Sequence, residues 1–302
     1  MNVENIEQAI RSQDYDFLLK NIDAVAQMPD DPDDNTLLLT ILEPLDSDEV
    51  PKNKKKFEEL VVKLIEKMPH ELLDRLDGED CSALNIACKA ANMTIIDALI
   101  KAGANLDGSL LFMVGDEDED CHVDVHRGPE TKKQLKVIKY LISKGANVND
   151  GSLVCAAYHG YTNILKELIV AGANVNLQLD GGTTALMFAI DGYLNNDASK
   201  VKRVLRMLID AGADVNIQDA NGQTVLMRAA LSDMCDSMLT LLDAGANVDI
   251  KDNEGHTVFD HYTVDTESVL KSSQEPLKRQ MDVKTFKKTL REDKKRMKMW
   301  GM

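Results

Sequence analysis

Aromatic residues are scarce: six Phe, six Tyr and one Trp make up 4% of the 302 residues, and there are only seven prolines. This argues against large sandwiches and barrels filled by aromatic side chains, and favours helices packed with aliphatic residues, Ala and Met. Cysteine is sparse and odd in number, at five, and no CxxC pair occurs. A disulfide framework is therefore not expected, and a reduced, intracellular setting is. No run of about 18 apolar residues predicts a membrane span. The opening residues, MNVENIEQAIRSQDYD, lack the apolar stretch of a secretory signal. Positive charge is in deficit, with 35 Lys and Arg against 51 Asp and Glu and a net charge of −16. Such a chain repels phosphate backbones, so nucleic acid is not an expected partner. GxSxG, Walker, GxGxxG and HExxH signatures are all missing, so no enzyme class and no cofactor is indicated by motif.

Hydrophobic content, at 44%, is ample for a buried core. The charge is unevenly spread. Between Lys271 and Met302 there are eleven basic against four acidic residues, leaving 24 basic and 47 acidic residues in the body. One stretch shows the organisation. LIDAGADVNIQDANGQTVLMRAA, Leu208 to Ala230, runs from helical apolar spacing to a Gly, through VNIQ and DANG, and restarts at a Thr. The phrase GA followed by Asn or Asp recurs at Gly103, Gly145, Gly172, Gly212 and Gly245, with spacings of 42, 27, 40 and 33. One spacing equals 33 and the others differ from it by insertions and deletions, so a helix–turn–helix unit recurs; this means stacked repeats, because one unit cannot bury its apolar face alone.

A second signal also recurs: SALNIA from Ser82, TALMFA from Thr184, TVLMRA from Thr224 and TVFDHY from Thr257. These resemble the T-P-L-H-x-A phrase of the ankyrin repeat, a unit of about 33 residues. None keeps both the Pro and the His, while Leu84, Leu186 and Leu226 retain the Leu. The resemblance implies an all-α fold: a solenoid of stacked antiparallel helix pairs with β-turn fingers. Its strong span is 74–262. Residues 1–73 form an expected N-terminal cap and diverged repeat, and 263–302 a basic helical cap or tail. Ser82, Thr184 and Thr224 are expected helix N-caps, and the five glycines are expected left-handed residues after a helix end. Ala189, Ala229 and Ala230 let neighbouring helices approach, while Ile164/Leu165 and Leu168/Ile169 supply the buried face of a second helix.

The departures are as informative. After Asn105 the chain passes directly into DGSLLFMV, and after Asn147 into NDGSLVCAAYHG, so two successive units lack a finger. Full fingers are expected at Arg75–Cys81, Leu177–Thr183, Ile217–Gln223 and Ile250–His256. Inserts interrupt the helix-to-helix turns after a helix at Leu37–Leu42, from Glu117 to Lys132, and within DGYLNNDASK.

In the ankyrin pattern the residues that end the first helix and those on the finger face the partner. The resemblance thus marks Tyr158 and His159, and at equivalent places Asp191, Leu231 and Ser232, with Gln218 and Asn221 on a finger. The insert GDEDEDCHVDVH adds Asp118, Glu119 and Asp120, which would attract a basic surface. It begins like a calcium loop but lacks the Gly and closing Glu. Its Cys121, His122 and His126 have no second ligand pair, so no metal is expected there. The Lys52–Lys56 run reads as a solvated turn, and Cys155 as a core position rather than a nucleophile. The implied function is a non-enzymatic, monomeric protein-binding module with a basic-surfaced protein partner, cytoplasmic or, as a bacterial effector, in a host cytoplasm. The rival reading is an enzyme or metal protein with its site in the acidic insert or the C-terminal region.

Overall fold

The computed structural model describes residues 3–27, 37–46, 51–76, 81–114, 131–192 and 197–261, together with 284, 287, 288 and 290–292. The chain divides into two compact units, Met1–Asn147 and Val148–Met302. Among the described residues β pairing is confined to two isolated bridges, Leu76 with Ser82 and Gln218 with Thr224. All other regular structure is helical.

In the first unit, α1 (Val3–Ser12), α2 (Tyr15–Lys20) and α3 (Ile22–Val25) precede the pair α4 (Leu37–Asp46) and α5 (Lys54–Lys67). Helix α4 continues to Asp46, past the boundary expected at Leu42. Helices α2 and α3 pack on α5, where the Tyr15 and Phe57 rings meet edge to face at 5.6 Å. The Lys52–Lys56 run is more than a solvated turn. Asn53 caps α5 by accepting from the Lys56 N–H, the Lys56 ammonium pairs with Asp16 at 2.6 Å, and Lys52 donates to the Ser12 carbonyl at 2.9 Å. The run ties α5 to the N-terminal helices. The pairs α6 (Ala83–Lys89) with α7 (Met93–Lys101) and α8 (Ser109–Val114) with α9 (Lys132–Ser143) follow. First helices stack on first helices, α4 on α6 on α8, and second on second, α5 on α7. The Tyr140 hydroxyl of α9 donates to Asp97 of α7, whose carboxyl is held below its usual range chiefly by Lys101 and then by Tyr140.

The second unit repeats the scheme. Helices α10 (Ser152–His159), α12 (Ala185–Asp191), α14 (Val225–Leu231) and α16 (Val258–His261) stack in one row. Helices α11 (Thr162–Val170), α13 (Ala198–Asp210) and α15 (Cys235–Asp243) stack in another. The apolar stripe of α13, Val201, Val204, Leu205 and Leu208, is completely buried between these rows. Each such side chain contributes about 1.5–3 kcal/mol of transfer free energy. Alanines at 156, 189 and 229 are also fully buried, which is what lets the first helices lie close.

Every GA phrase ends a helix in the same way. At Gly212, φ is +93° and nothing lies within 4 Å of an added Cβ, so the glycine is needed for its conformation and not for space. The Ala213 N–H then closes back on the Leu208 carbonyl at 3.0 Å and the Gly212 N–H on Ile209 at 2.9 Å, the paired bonds of a Schellman end. The other four phrase glycines have φ between +89° and +94°.

The Asn residues that follow these glycines link the repeats. The Asn216 side-chain carbonyl accepts from the Asn247 N–H at 2.8 Å, while that of Asn176 accepts from the Asp214 N–H at 2.8 Å and that of Asn149 from the Asn174 N–H at 2.7 Å. These carboxamides form a ladder, which gives the repeated ANVN wording a physical cause. Three fingers are present in full: the N–H of Leu179, Asp219 and Asp252 each donates to the carbonyl four residues on, Thr183, Gln223 and His256, at 2.9–3.0 Å. Neighbouring fingers are joined by backbone bonds, Ala220 N–H to Gly181 carbonyl at 2.7 Å and Asn253 N–H to Asn221 carbonyl at 3.0 Å. Residues 77–80 of the expected first finger lie outside the described residues. The α7–α8 link has no room for a finger, since only Ala102 to Gly108 separate the helices, and the α9–α10 link runs only from Lys144 to Gly151.

Candidate protein-binding surface

The last turns of α10, α12 and α14 place Tyr158, Asp191 and Leu231 at equivalent positions on packed neighbouring helices. Why these turns sit so close is seen at Gly192. A Cβ there would lie 2.3 Å from the Tyr158 carbonyl oxygen, so only glycine permits the α10–α12 approach. Tyr158 is half-buried. Its ring meets Phe188 of α12 edge to face at 6.0 Å and His159 at 5.2 Å, and His159 stacks on the buried Tyr161 ring at 5.2 Å. The four rings form one cluster, with Tyr158 partly in solvent and partly against α12.

Asp191 is exposed but does not stand alone, because it pairs with Arg228 of α14. Arg228 also donates to Asp219 at 2.6 Å, a carboxylate whose side chain is only 1% exposed. Burial acts to lower the Arg228 guanidinium, but bonds to Asp219 and Asp191 outweigh it and raise it. The Asp219 carboxylate meanwhile accepts the N–H groups of Asn221 and Gln223 at 2.8 and 2.9 Å, fixing the finger. One ionic chain therefore links α12, α14 and a finger.

Leu231 is 48% exposed, one of three large apolar side chains left open among the described residues. Ser232 beside it is exposed and ends α14, its N–H donating to the Arg228 carbonyl at 3.1 Å. Gln218 is engaged within the array: its side-chain N–H groups donate to the carbonyls of Gly222 at 2.5 Å and Lys251 at 2.9 Å. Asn221 is exposed on the finger. Asp118, Glu119 and Asp120 lie outside the described residues.

The expected N-caps divide. The hydroxyls of Ser82 and Thr224 accept from the N–H of Asn85 at 3.2 Å and Met227 at 3.4 Å. Thr184 occupies the same place but makes no side-chain bond to its helix. Cys155 is 1% exposed, in the core as expected. In the C-terminal segment Leu290 is fully buried, and Lys287 pairs with Asp243 of α15 at 2.7 Å. The arrangement missed from sequence is the Arg228–Asp219–Asp191 chain, with Phe188 at the position in α12 that Arg228 holds in α14. Its signal was a charged residue in a phrase where SALNIA and TALMFA carry Ile86 and Phe188.

Comparison with known proteins agrees with this geometry. Residues 122–201 and 153–252 match the family described as ankyrin repeats, in three copies, so the chain carries ankyrin repeats over this span. Over 128 residues, 39% of this chain, it is 30% identical to the E3 ubiquitin-protein ligase KEG of Arabidopsis thaliana. The chain spans 7% of the length of that relative. Among the described residues no helix is long and apolar enough to cross a membrane.

Proposed function

We propose that this chain is a non-enzymatic binding module that takes a protein partner across the finger side of the row α10–α12–α14, the side that is concave in ankyrin arrays, with Tyr158, Asp191 and Leu231 at its centre. The observation that carries this is Leu231. It ends a helix otherwise buried on its core face, and it holds an apolar side chain in water on α14, the helix that also carries Arg228 of the ionic chain. Apolar side chains ringed by polar groups form the core of protein interfaces, and Tyr158 in the same row is of the type that concentrates binding energy there. The surface is braced before any partner arrives, through the finger-to-finger bonds and the Arg228 pairs, so little ordering cost opposes association.

The partner's expected chemistry is basic. The chain carries −16 overall, and exposed Asp180, Asp214 and Asp249 lie on or beside the fingers. The ligase likeness covers 7% of that enzyme's length. A direct test uses wild-type and Leu231→Glu chains that melt alike as two parallel baits. A protein retained by the wild type and lost from the variant supports the reading. Identical retention by both removes Leu231 from the interface.

A further inference from the structure

The last complete finger and the helix after it differ from the preceding repeat at several places, two of which place histidines around the same buried group. In the preceding finger, Asp219 is followed by Gln223, and Arg228 supplies the charge that its carboxylate needs. In the last finger Asp252 is the equivalent acid, with a side chain 4% exposed. Its Oδ1 accepts the N–H groups of Glu254 at 3.0 Å and His256 at 2.9 Å. Gln223 is replaced by His256 and Arg228 by His261. His261 Nε2 lies 2.7 Å from Asp252 Oδ2, and His256 Nδ1 lies 3.8 Å from the same oxygen. The two rings face each other edge to face at 5.7 Å. A permanent cation has thus been exchanged for two imidazoles around a buried carboxylate. One ligand atom from each of the three residues lies within 4.8 Å of the others.

We propose that Asp252 Oδ2, His256 Nδ1 and His261 Nε2 bind a divalent transition-metal ion, zinc first, which staples the last described finger to α16. Zinc takes imidazole nitrogen at about 2.0–2.1 Å and carboxylate oxygen at about 2.0–2.2 Å, so tetrahedral ligand atoms stand roughly 3.3 Å apart. The separations of 2.7 and 3.8 Å straddle that value, and small side-chain rotations bring the set onto one ion. The second carboxylate oxygen is held by the finger, an outer-shell brace of the kind that orients metal ligands. His256 is 47% exposed, leaving a path from solvent, while Asp252 and His261 at 4% and 13% exposure form the floor. Glu254, with Oε2 3.3 Å from His256 Nδ1, is placed to give a fourth ligand or to hold a ligand water. Two nitrogens and a carboxylate suit zinc over calcium or magnesium, which select all-oxygen sets.

The test is titration of the purified full chain with Zn²⁺ alone, by calorimetry and by competition against a chromophoric chelator. The key variant is His261→Arg, which copies the preceding repeat and so keeps the fold by supplying the lost charge. The expected result is one zinc per chain in the wild type, at least tenfold weaker binding in His261→Arg and in His256→Ala, and unchanged binding in His122→Ala/His126→Ala. Zinc should raise the melting temperature of the wild type and not that of His261→Arg. Equal zinc binding by wild type and His261→Arg, or loss of zinc only in the His122/His126 variant, overturns the site. If partner capture fails while zinc binding follows this pattern, the interface reading falls and the metal site stands.

Discussion

Arg228 reaches the buried Asp219 carboxylate at 2.6 Å from the neighbouring first helix, and the same guanidinium holds Asp191 on the next helix back. A single side chain thus neutralises the acid that shapes a finger and links α14 to α12. Removing the cation leaves a carboxylate desolvated and unpaired. Arg228→Ala should cost about 3 kcal/mol in urea unfolding, whereas Asp191→Ala, which breaks only the more exposed pair, should cost under about 1 kcal/mol. Equal losses would mean that the Asp219 pair is not the stabilising one.

The two threonine N-caps should respond differently. Thr224→Ala removes a hydroxyl that accepts from the helix and should cost about 1 kcal/mol. Thr184→Ala removes a hydroxyl with no such bond and should cost clearly less. Thermal melts of both variants decide the order.

Two glycines are required for opposite reasons. Gly192→Ala forces a Cβ against the Tyr158 carbonyl oxygen and should cost about 1–3 kcal/mol, with the α10–α12 contact disturbed. Gly212→Ala meets open space and should cost about 1 kcal/mol through its positive φ. A Gly192→Ala protein as stable as wild type would show that the ends of α10 and α12 leave room for a methyl group.

Cys88 is 1% exposed, and burial pushes its thiol up from 9.0 to about 12. The stability tied to the neutral thiol is whole below about pH 9 and is lost as pH climbs from there toward 12. Alkylation at pH 8 should therefore leave Cys88 unmodified in the native protein and label it in denaturant. Mass spectrometry of the digested protein reads both states. Rapid native labelling of Cys88 would place it outside the core.

Much of this fold can be read along the chain because its stacking rests on short-range rules. The glycines at 103, 145, 172, 212 and 245 all take positive φ, since a helix end fixes its own backbone through local bonds. Leu231 could be expected exposed because its place in the phrase sets its direction. Gln218 could not be judged in the same way: both its carbonyl partners lie on fingers, one of them in the next repeat, and no local pattern reports a bond across 33 residues. Arg228 is similar, since its partners sit 37 and 9 residues away. The helical extension of α4 to Asp46 includes Pro44, a residue that marks an end when read locally. The tie from Lys56 to Asp16 spans 40 residues, which is why the lysine run reads as merely solvated from sequence.

The central claim is that the row of first helices in the second unit binds a protein. It is tested most directly by the affinity of a captured partner for wild type and for Tyr158→Ala/Leu231→Ser, measured beside the melting temperature of each. The account predicts at least tenfold weaker binding, with about 2 kcal/mol lost on the scale of an interface anchor, and a melting temperature changed by only a few degrees. A double variant that folds as well as wild type and binds with the same affinity would contradict it and put the interface on another face.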